Sequence, residues 1–304
     1  MTEPLADGSP AEMTGRVVLL TGATSGIGRA AARRLGGLGA TVVLTGRDRE
    51  RGRAALSAVR EAGGDGAFVR ADFADLDAVR ALAAEVRGRY GRLDVLAHNA
   101  ALSLSSRRAV DLDGREVETV FLVNHLAPFL LTHELADLLV ASAPARAVVT
   151  ASAVHRRGVL DLDDLALAEY DPLSAYARSK LANVLFAVEL ADRLAGTGVT
   201  ANAYHPGFVP GSGLYREAGG AFGVAVRIAA RLPFVGRTVE EGADGLVHLA
   251  ASPDAADTTG EYFDGRDPAE PDPRVRDAAL RERLWTTSAA LVDAPETPAL
   301  SVGR

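Results

Sequence analysis

The chain has 304 residues, 48% hydrophobic and 24% charged, with a net charge of −7. That is an ordinary globular balance, long enough to bury a large core. With no basic block and no cysteine, the sequence lacks the electrostatic footprint of nucleic-acid binding, excludes disulfides and thiolate metal sites, and suits a reducing cytoplasm.

Residues 1–14 are acidic and polar, lack the charged-then-apolar layout of a secretion signal, and read as a disordered leader. No uninterrupted apolar stretch reaches spanning length, so a soluble protein with no membrane partner is expected. From Arg16 short apolar runs alternate with helical stretches. The runs 16–21, 41–46, 67–71, 93–98, 146–152, 199–204 and 260–265 predict seven strands. Helices are expected over about 26–38, from the second strand to Ala62, 75–89, 114–140, 174–195, 239–251 and 273–292. The stretch 221–232 is amphipathic, and 293–304 reads as a flexible tail. Strand-helix alternation predicts βαβ units, right-handed crossovers and a parallel sheet covered on both faces. The expected fold is a single α/β domain over 15–292, with ligands beyond the carboxyl ends of its strands.

The first strand runs into Thr21-Gly22-Ala23-Thr24-Ser25-Gly26-Ile27-Gly28. Backbone amides that must approach a pyrophosphate need glycine, and the following helix N-terminus favours the phosphate charge. The spacing Gly-x-x-x-Gly-x-Gly also suits a mere tight turn; its place between a strand and a helix favours the nucleotide role. The second strand ends Thr45-Gly46-Arg47. An acid there bonds a ribose 2′-hydroxyl, whereas an Arg accommodates a 2′-phosphate. Gly46 holds the acid position and Arg47 follows, so NADP(H) is expected over NAD(H). The competing readings are a surface arginine at 47 and a helix cap at Asp48. Asp72, after the third strand, is a candidate adenine contact or a turn residue. Asn99, after the fourth, either bridges backbone groups at the cofactor edge or makes a simple Asx turn.

Tyr176 and Lys180 lie four apart at the start of a predicted helix and share a face. An ammonium beside a phenol favours the phenolate, tuning Tyr176 for general acid-base work. A core tyrosine and a surface lysine give the same string, but Lys180 is the chain's only lysine among 33 Lys and Arg residues. A forked guanidinium does not replace a compact ammonium between a phenol and a ribose. Ser152, at the end of the fifth strand, is placed to hydrogen-bond a substrate carbonyl, or simply to satisfy a backbone group. Asn124 sits inside a long predicted helix where Asn is unfavourable, which points to a local distortion that holds a water for proton delivery; a solvated surface Asn is the other reading. His98, His125, His155 and His205 show no metal-ligand spacing and read as structural, with His155 also a candidate wall of the substrate pocket. No metal is expected, and no Gly-x-Ser-x-Gly elbow is present.

In this order and at these separations, the glycine segment 21–28, Asn99-Ala100-Ala101, Asn124, Ser152 and Tyr176-x-x-x-Lys180 resemble the short-chain dehydrogenases/reductases over roughly residues 15–265. The strings at 123–135, 152–158, 176–186 and 204–207 are similar to its retinol-dehydrogenase-like branch, which includes the WW-domain oxidoreductase and protochlorophyllide reductase. The resemblance implies a Rossmann-type, doubly wound, seven-stranded sheet of order 3-2-1-4-5-6-7. It implies cofactor contacts from Gly22, Thr24, Ser25, Gly26, Ile27, Gly28, Arg47, Asp72, Phe73, Asn99, Ala100, Lys180, Pro206, Gly207 and Val209. Tyr176 would exchange the proton, Ser152 orient the carbonyl, Lys180 bind ribose and tune Tyr176, and Asn124 hold a relay water. The family often pairs through its fifth and sixth helices, which implies a homodimer or homotetramer.

The sequence departs from the family in three places. Gly211 stands where a threonine normally follows Pro206-Gly207, with Ser212 as the candidate substitute. Ser25 stands where NADP enzymes often carry a basic residue. No stretch of the sequence reads as the membrane anchor that some branch members carry. The segment 207–238 is expected to be an apolar lid, from Phe208, Leu214, Tyr215, Phe222, Val224 and Ile228. His155, Phe208, Leu214 and Tyr215, with Ser152 and Tyr176, make the expected pocket for a medium-to-large apolar ketone, aldehyde or alcohol. The alternatives are reduction of an activated C=C bond and a non-catalytic NADP-binding sensor or scaffold.

Overall fold

The computed structural model describes residues 12–214, 232 and 235–296. Its main sheet has eight strands: β1 (Val17–Leu20), β2 (Thr41–Gly46), β3 (Asp65–Arg70), β4 (Val95–His98), β7 (Ala145–Thr150), β8 (Val199–His205), β9 (Tyr262–Asp264) and β10 (Asp267–Pro268). Their order is β10-β9-β8-β7-β4-β1-β2-β3. The seven parallel strands follow the expected order. The eighth, β10, pairs antiparallel with β9 at the edge; two residues ending in Pro268 carry no periodicity to read. The remaining strands, β5 (Ala109–Leu112) and β6 (Arg115–Glu118), form a separate hairpin.

β1 and β4 are buried throughout, as strands covered on both faces must be. On one face lie α1 (Gly26–Gly37), α2 (Arg49–Glu61), α7 (Val239–Gly242) and α8 (Asp244–Ala251), around a core that includes Leu35, Val59, Leu246 and Phe263. On the other lie α3 (Leu76–Arg89), α4 (Thr119–Phe121), α5 (Ala127–Ala141), α6 (Pro172–Arg193) and α9 (Ala278–Leu291), around Leu82, Phe129, Phe186 and Trp285. Crossovers on both faces leave the carboxyl ends of β1, β2, β3, β4, β7 and β8 facing one cleft.

Several expectations need correction. The helix expected over 114–140 begins at Thr119, because Asp113 and Gly114, both at positive φ (52° and 82°), turn β5 into β6. Asp-Gly with two left-handed residues is the favoured two-residue hairpin turn. The helix expected over 239–251 breaks at Ala243, and that over 273–292 starts with a 3-10 turn at Pro273–Arg276. Met13, inside the expected leader, is buried and donates its amide to Leu38, so the ordered chain starts before residue 15. Residues 1–11 and 297–304 lie outside the described residues. Among the described residues, no helix is long and apolar enough to cross a membrane.

The C-terminal helix covers α5 and α6, the pair through which subunit pairing was expected. Trp285 is 1% exposed, packs edge-on against Phe129 with centroids 4.8 Å apart, and stacks on Phe186 at 5.9 Å. Ser288 meets His125 at 2.9 Å, and Arg281 bridges to Glu189 and Asp192. From Ala177 to Ala191, α6 is buried at every position but Val188. A helix buried around nearly its whole circumference is enclosed by its neighbours, and here the same chain encloses it.

Candidate active site

The cleft at the carboxyl edge of the sheet is lined at one end by the turn after β1 and by the ends of β2 and β3, and at the other by residues of β7, α6 and the segment after β8. The turn after β1 holds Gly22 and Gly26 at positive φ (64° and 53°). A Cβ on Gly28 would come within 2.4 Å of Gly22 O, and one on Gly22 within 2.7 Å of Ala100 Cα. These glycines therefore let the loops after β1 and β4 close on each other. Asn99 completes the contact: Nδ2 donates to Thr21 O and Gly22 O, both at 3.2 Å, and the amides of Asn99 and Ala100 donate to Thr21 Oγ1. This is the bridging role expected of Asn99. The first turn of α1 carries no acidic residue and no side-chain cap, whereas Asp48 and Asp75 cap α2 and α3. A glycine cradle leading to an uncapped helix start fits a phosphate group.

At the end of β2, a Cβ on Gly46 would lie 2.7 Å from Thr24 Cγ2, so a larger residue there would have to displace the Thr24 side chain. Arg47 lines the cleft and is exposed. Asp48, the alternative for this corner, caps α2 through the amides of Glu50 and Arg51. Its carboxylate also lies 3.4 Å from Arg51 Nε, so the acid is partly neutralised. Arg51 lines the cleft as well and was missed in the sequence; taking Asp48 as the cap places Arg51 on the first turn, facing the strand ends. Asp72 makes the turn bond expected of it, to the Ala74 amide at 3.1 Å, while lining the cleft beside Phe73.

At the other end, Ser152, Tyr176 and Lys180 line the same cleft. Ser152 lies two residues past β7 and starts the 3-10 turn Ala153–Arg157, where its hydroxyl accepts from Val154 N at 3.4 Å. Tyr176 and Lys180 share a face of α6, with Lys180 Nζ 5.5 Å from the Tyr176 ring centre. Lys180 is 1% exposed and donates to Thr150 O at 2.9 Å. Burial pushes its ammonium down to about 7, so a charged group or partner arriving at the cleft decides its state. Asn124 lies within a π-helical segment, Leu122–Leu126, the distortion expected of it. Its Oδ1 accepts from Leu102 N at 2.8 Å, and its Nδ2 donates to Leu102 O and Ser179 Oγ at 3.0 Å each. Asn124 thus ties the loop after β4 to the helix that carries Tyr176.

Pro206, Gly207, Val209, Ser212 and Leu214 also line the cleft, with Thr24, Ser25 and Ile27 opposite. Gly26 lies under Ser212, whose carbonyl oxygen would be 2.2 Å from a Cβ there. Two expected pocket residues point elsewhere. His155 is fully buried beneath the site: Nδ1 meets Ser152 O at 2.8 Å, Nε2 accepts from Asp272 N at 3.0 Å, and the ring packs on Tyr262. The 3-10 turn after Ser152 rotates it inward. Phe208 is 43% exposed and outside the cleft lining, because left-handed Gly207 turns the chain there. Tyr215, Phe222, Val224 and Ile228 lie outside the described residues. Among the described residues, no group of His and acidic side chains is arranged to hold a metal.

Comparison with known proteins gives the family. The profile of the short chain dehydrogenase family matches residues 16–218. The chain is 42% identical over 287 residues to dehydrogenase/reductase SDR family member 13 of Bos taurus, covering 92% of this chain and 74% of that one. It is 39% identical over 304 residues to retinol dehydrogenase 14 of Mus musculus, covering 94% and 88%. Among solved structures, a short chain dehydrogenase from Burkholderia cenocepacia in complex with NADP superposes with a TM-score of 0.65 at 27% identity, covering 84% of this chain and 98% of that one. The chain belongs to the short chain dehydrogenase family, as a retinol-dehydrogenase-like member.

Proposed function

We propose that this protein is an NADP(H)-dependent oxidoreductase that reduces the carbonyl of a medium-to-large apolar ketone or aldehyde to the alcohol. Carbonyl-alcohol chemistry follows from the family. The observation that carries the finer reading is the convergence on one cleft of Ser152, Tyr176 and Lys180 at one end and of Arg47 and Arg51, with glycine rather than an acid at 46, at the other. Two arginines favour a 2′-phosphate over a bare ribose hydroxyl.

A nicotinamide dinucleotide bound along this cleft supplies the hydride that adds to the carbonyl carbon. The chain's own groups manage the oxygen. The Ser152 hydroxyl donates to it and fixes the carbonyl's orientation. Tyr176 gives its phenolic proton to the same oxygen as negative charge develops there. Lys180, held by Thr150 O, presents its ammonium toward the phenol and stabilises the phenolate left behind. Asn124 keeps α6 and the loop after β4 in register during this transfer, and would hold the water through which Tyr176 regains its proton.

The apolar-substrate reading rests on Leu102, Val123 and Leu214, which line the cleft near the catalytic end. It also rests on relatives named for retinol and polyprenol, both long apolar alcohols; the mouse polyprenol dehydrogenase is 40% identical over 289 residues. The test is NADPH oxidation across a panel of apolar ketones and aldehydes, with enones and charged sugars as controls and Tyr176→Phe alongside. Turnover of apolar carbonyls that the variant loses supports the reading. NADPH binding without turnover on any carbonyl, or a best substrate among the charged sugars, refutes it.

A further inference from the structure

β8 ends at His205, and the next two residues, Pro206 and Gly207, line the catalytic end of the cleft. Gly207 has a φ of +79°, and a Cβ there would lie 2.8 Å from Arg237 Cδ. The turn is thus closed off by a side chain from a distant segment. The Gly207 amide donates to His205 Nδ1 at 3.0 Å. That bond fixes the tautomer, because an acceptor Nδ1 leaves the ring proton on Nε2. Nε2 lies 3.2 Å from Asp264 Oδ1, and Arg237 Nη2 lies 3.0 Å from the same oxygen. Asp264 is the register partner of His205 on β9. The Tyr262 ring stacks on the imidazole at 6.0 Å and packs on His155, which is tied to Ser152 O. Burial holds His205 below the ordinary histidine range, with Arg237 and Arg156 adding to the depression and Asp264 opposing it. The imidazole is therefore neutral and free to accept.

We propose that His205, with the Asp264 carboxylate against its Nε2, is a positioning residue for the dinucleotide, holding the Pro206-Gly207 turn in the shape that receives its nicotinamide end. This rests on the dinucleotide reading above. Main-chain bonds also hold the segment, from Arg237 N to Phe208 O at 2.7 Å and from Ser212 N to Val209 O at 3.0 Å. The His205 bond is the side-chain anchor closest to the turn. Without it the Gly207 amide loses its partner and the left-handed turn loses its fixed direction.

The test compares wild type, His205→Leu and His205→Asn by titration calorimetry with NADPH and with adenosine 2′,5′-bisphosphate, which lacks the nicotinamide. Asparagine carries Oδ1 one bond beyond Cγ, as histidine carries Nδ1, so it keeps an acceptor for Gly207 but cannot reach Asp264. We expect His205→Leu to weaken NADPH binding roughly ten-fold, His205→Asn to recover most of that loss, and the fragment to bind all three alike. Should leucine lower the yield of folded protein, Asp264→Ala, at the more exposed end of the network, is expected to weaken NADPH by a few-fold with the fragment again unchanged. Wild-type NADPH affinity in the leucine variant overturns the proposal, as does asparagine performing no better than leucine, or equal loss of dinucleotide and fragment. A wild type that binds NADH in place of NADPH moves the comparison to NADH and adenosine monophosphate. A wild type that binds neither dinucleotide sinks the functional reading itself.

Discussion

Asn124→Ala separates two roles for this residue. Asn124 is fully buried, and its three hydrogen bonds engage Leu102 N, Leu102 O and Ser179 Oγ. Alanine leaves both polar groups of the Leu102 backbone without their partner, while Ser179 keeps its bond to Tyr176 O. A fully buried group so orphaned costs about 1–3 kcal/mol, and water reaching the half-buried Leu102 from the cleft returns part of it, for a net loss of about 2–4 kcal/mol. For a domain of this size that is a fall in Tm on the order of 10 °C. Differential scanning calorimetry of the free protein measures it, and steady-state kinetics measures kcat alongside. Asn124→Asp sharpens the case. It keeps the acceptor for Leu102 N but sets carboxylate oxygen against Leu102 O, so it should be less stable than alanine at neutral pH and recover on acidification. An Asn124→Ala protein that melts within about 2 °C of wild type yet has lost turnover would refute the reasoning and leave Asn124 acting on the reacting groups alone.

Three further outcomes follow from the geometry. Arg47→Ala with Arg51→Ala should raise the KM for NADPH by about ten- to hundred-fold, from loss of charge-assisted bonds to the 2′-phosphate, and leave NADH unchanged; equal effects on both cofactors would show that the arginines serve something else. Because α9 covers α5 and α6, sedimentation should give a monomer, and Trp285→Ala should cost about 3–5 kcal/mol of stability; a dimer with Trp285 in place would contradict that packing. Lys180 has its pKa lowered by burial to about 7, below its unfolded value of about 10.4. The folded state therefore binds fewer protons than the unfolded state across that window, and the cost of the buried charge is fully present below pH 7 and relieved as pH rises. Wild type should gain stability relative to Lys180→Met between about pH 7 and pH 9, and a constant difference between the two would place Lys180 in a wetter site.

Much of the site was legible because its residues stand out against the composition. A lone lysine, a mid-helix asparagine and a glycine-rich turn between a strand and a helix each resist a packing explanation. The parallel strands were legible for the opposite reason, since burial on both faces makes them plain apolar runs. What escaped depends on turns of one or two residues. The hairpin at 109–118 carried its signal in Asp113-Gly114, but Glu116, Val117 and Glu118 lead into the long apolar stretch from Val120 and read as the start of the helix. His155 and Phe208 follow Ser152 and Gly207, where a 3-10 turn and a positive φ send side chains in directions that no periodicity encodes. Arg51 needed the helix register, which only the Asp48 cap provides. The enclosure of α6 is written in its own apolar faces, yet which segment would enclose them is a matter of tertiary contact.

The single lysine has a chemical consequence beyond the reaction. Amine reagents that label most proteins across their surface have one side chain to find here, and it sits inside the cleft. With a pKa near 7, a fraction of Lys180 is the nucleophilic free amine at neutral pH. Acylating agents and aldehydes that reach the cleft should therefore mark this protein at one internal position. The presence of that adduct, told apart from one on the N-terminal amine, would then report, molecule by molecule, whether the cleft was open or filled.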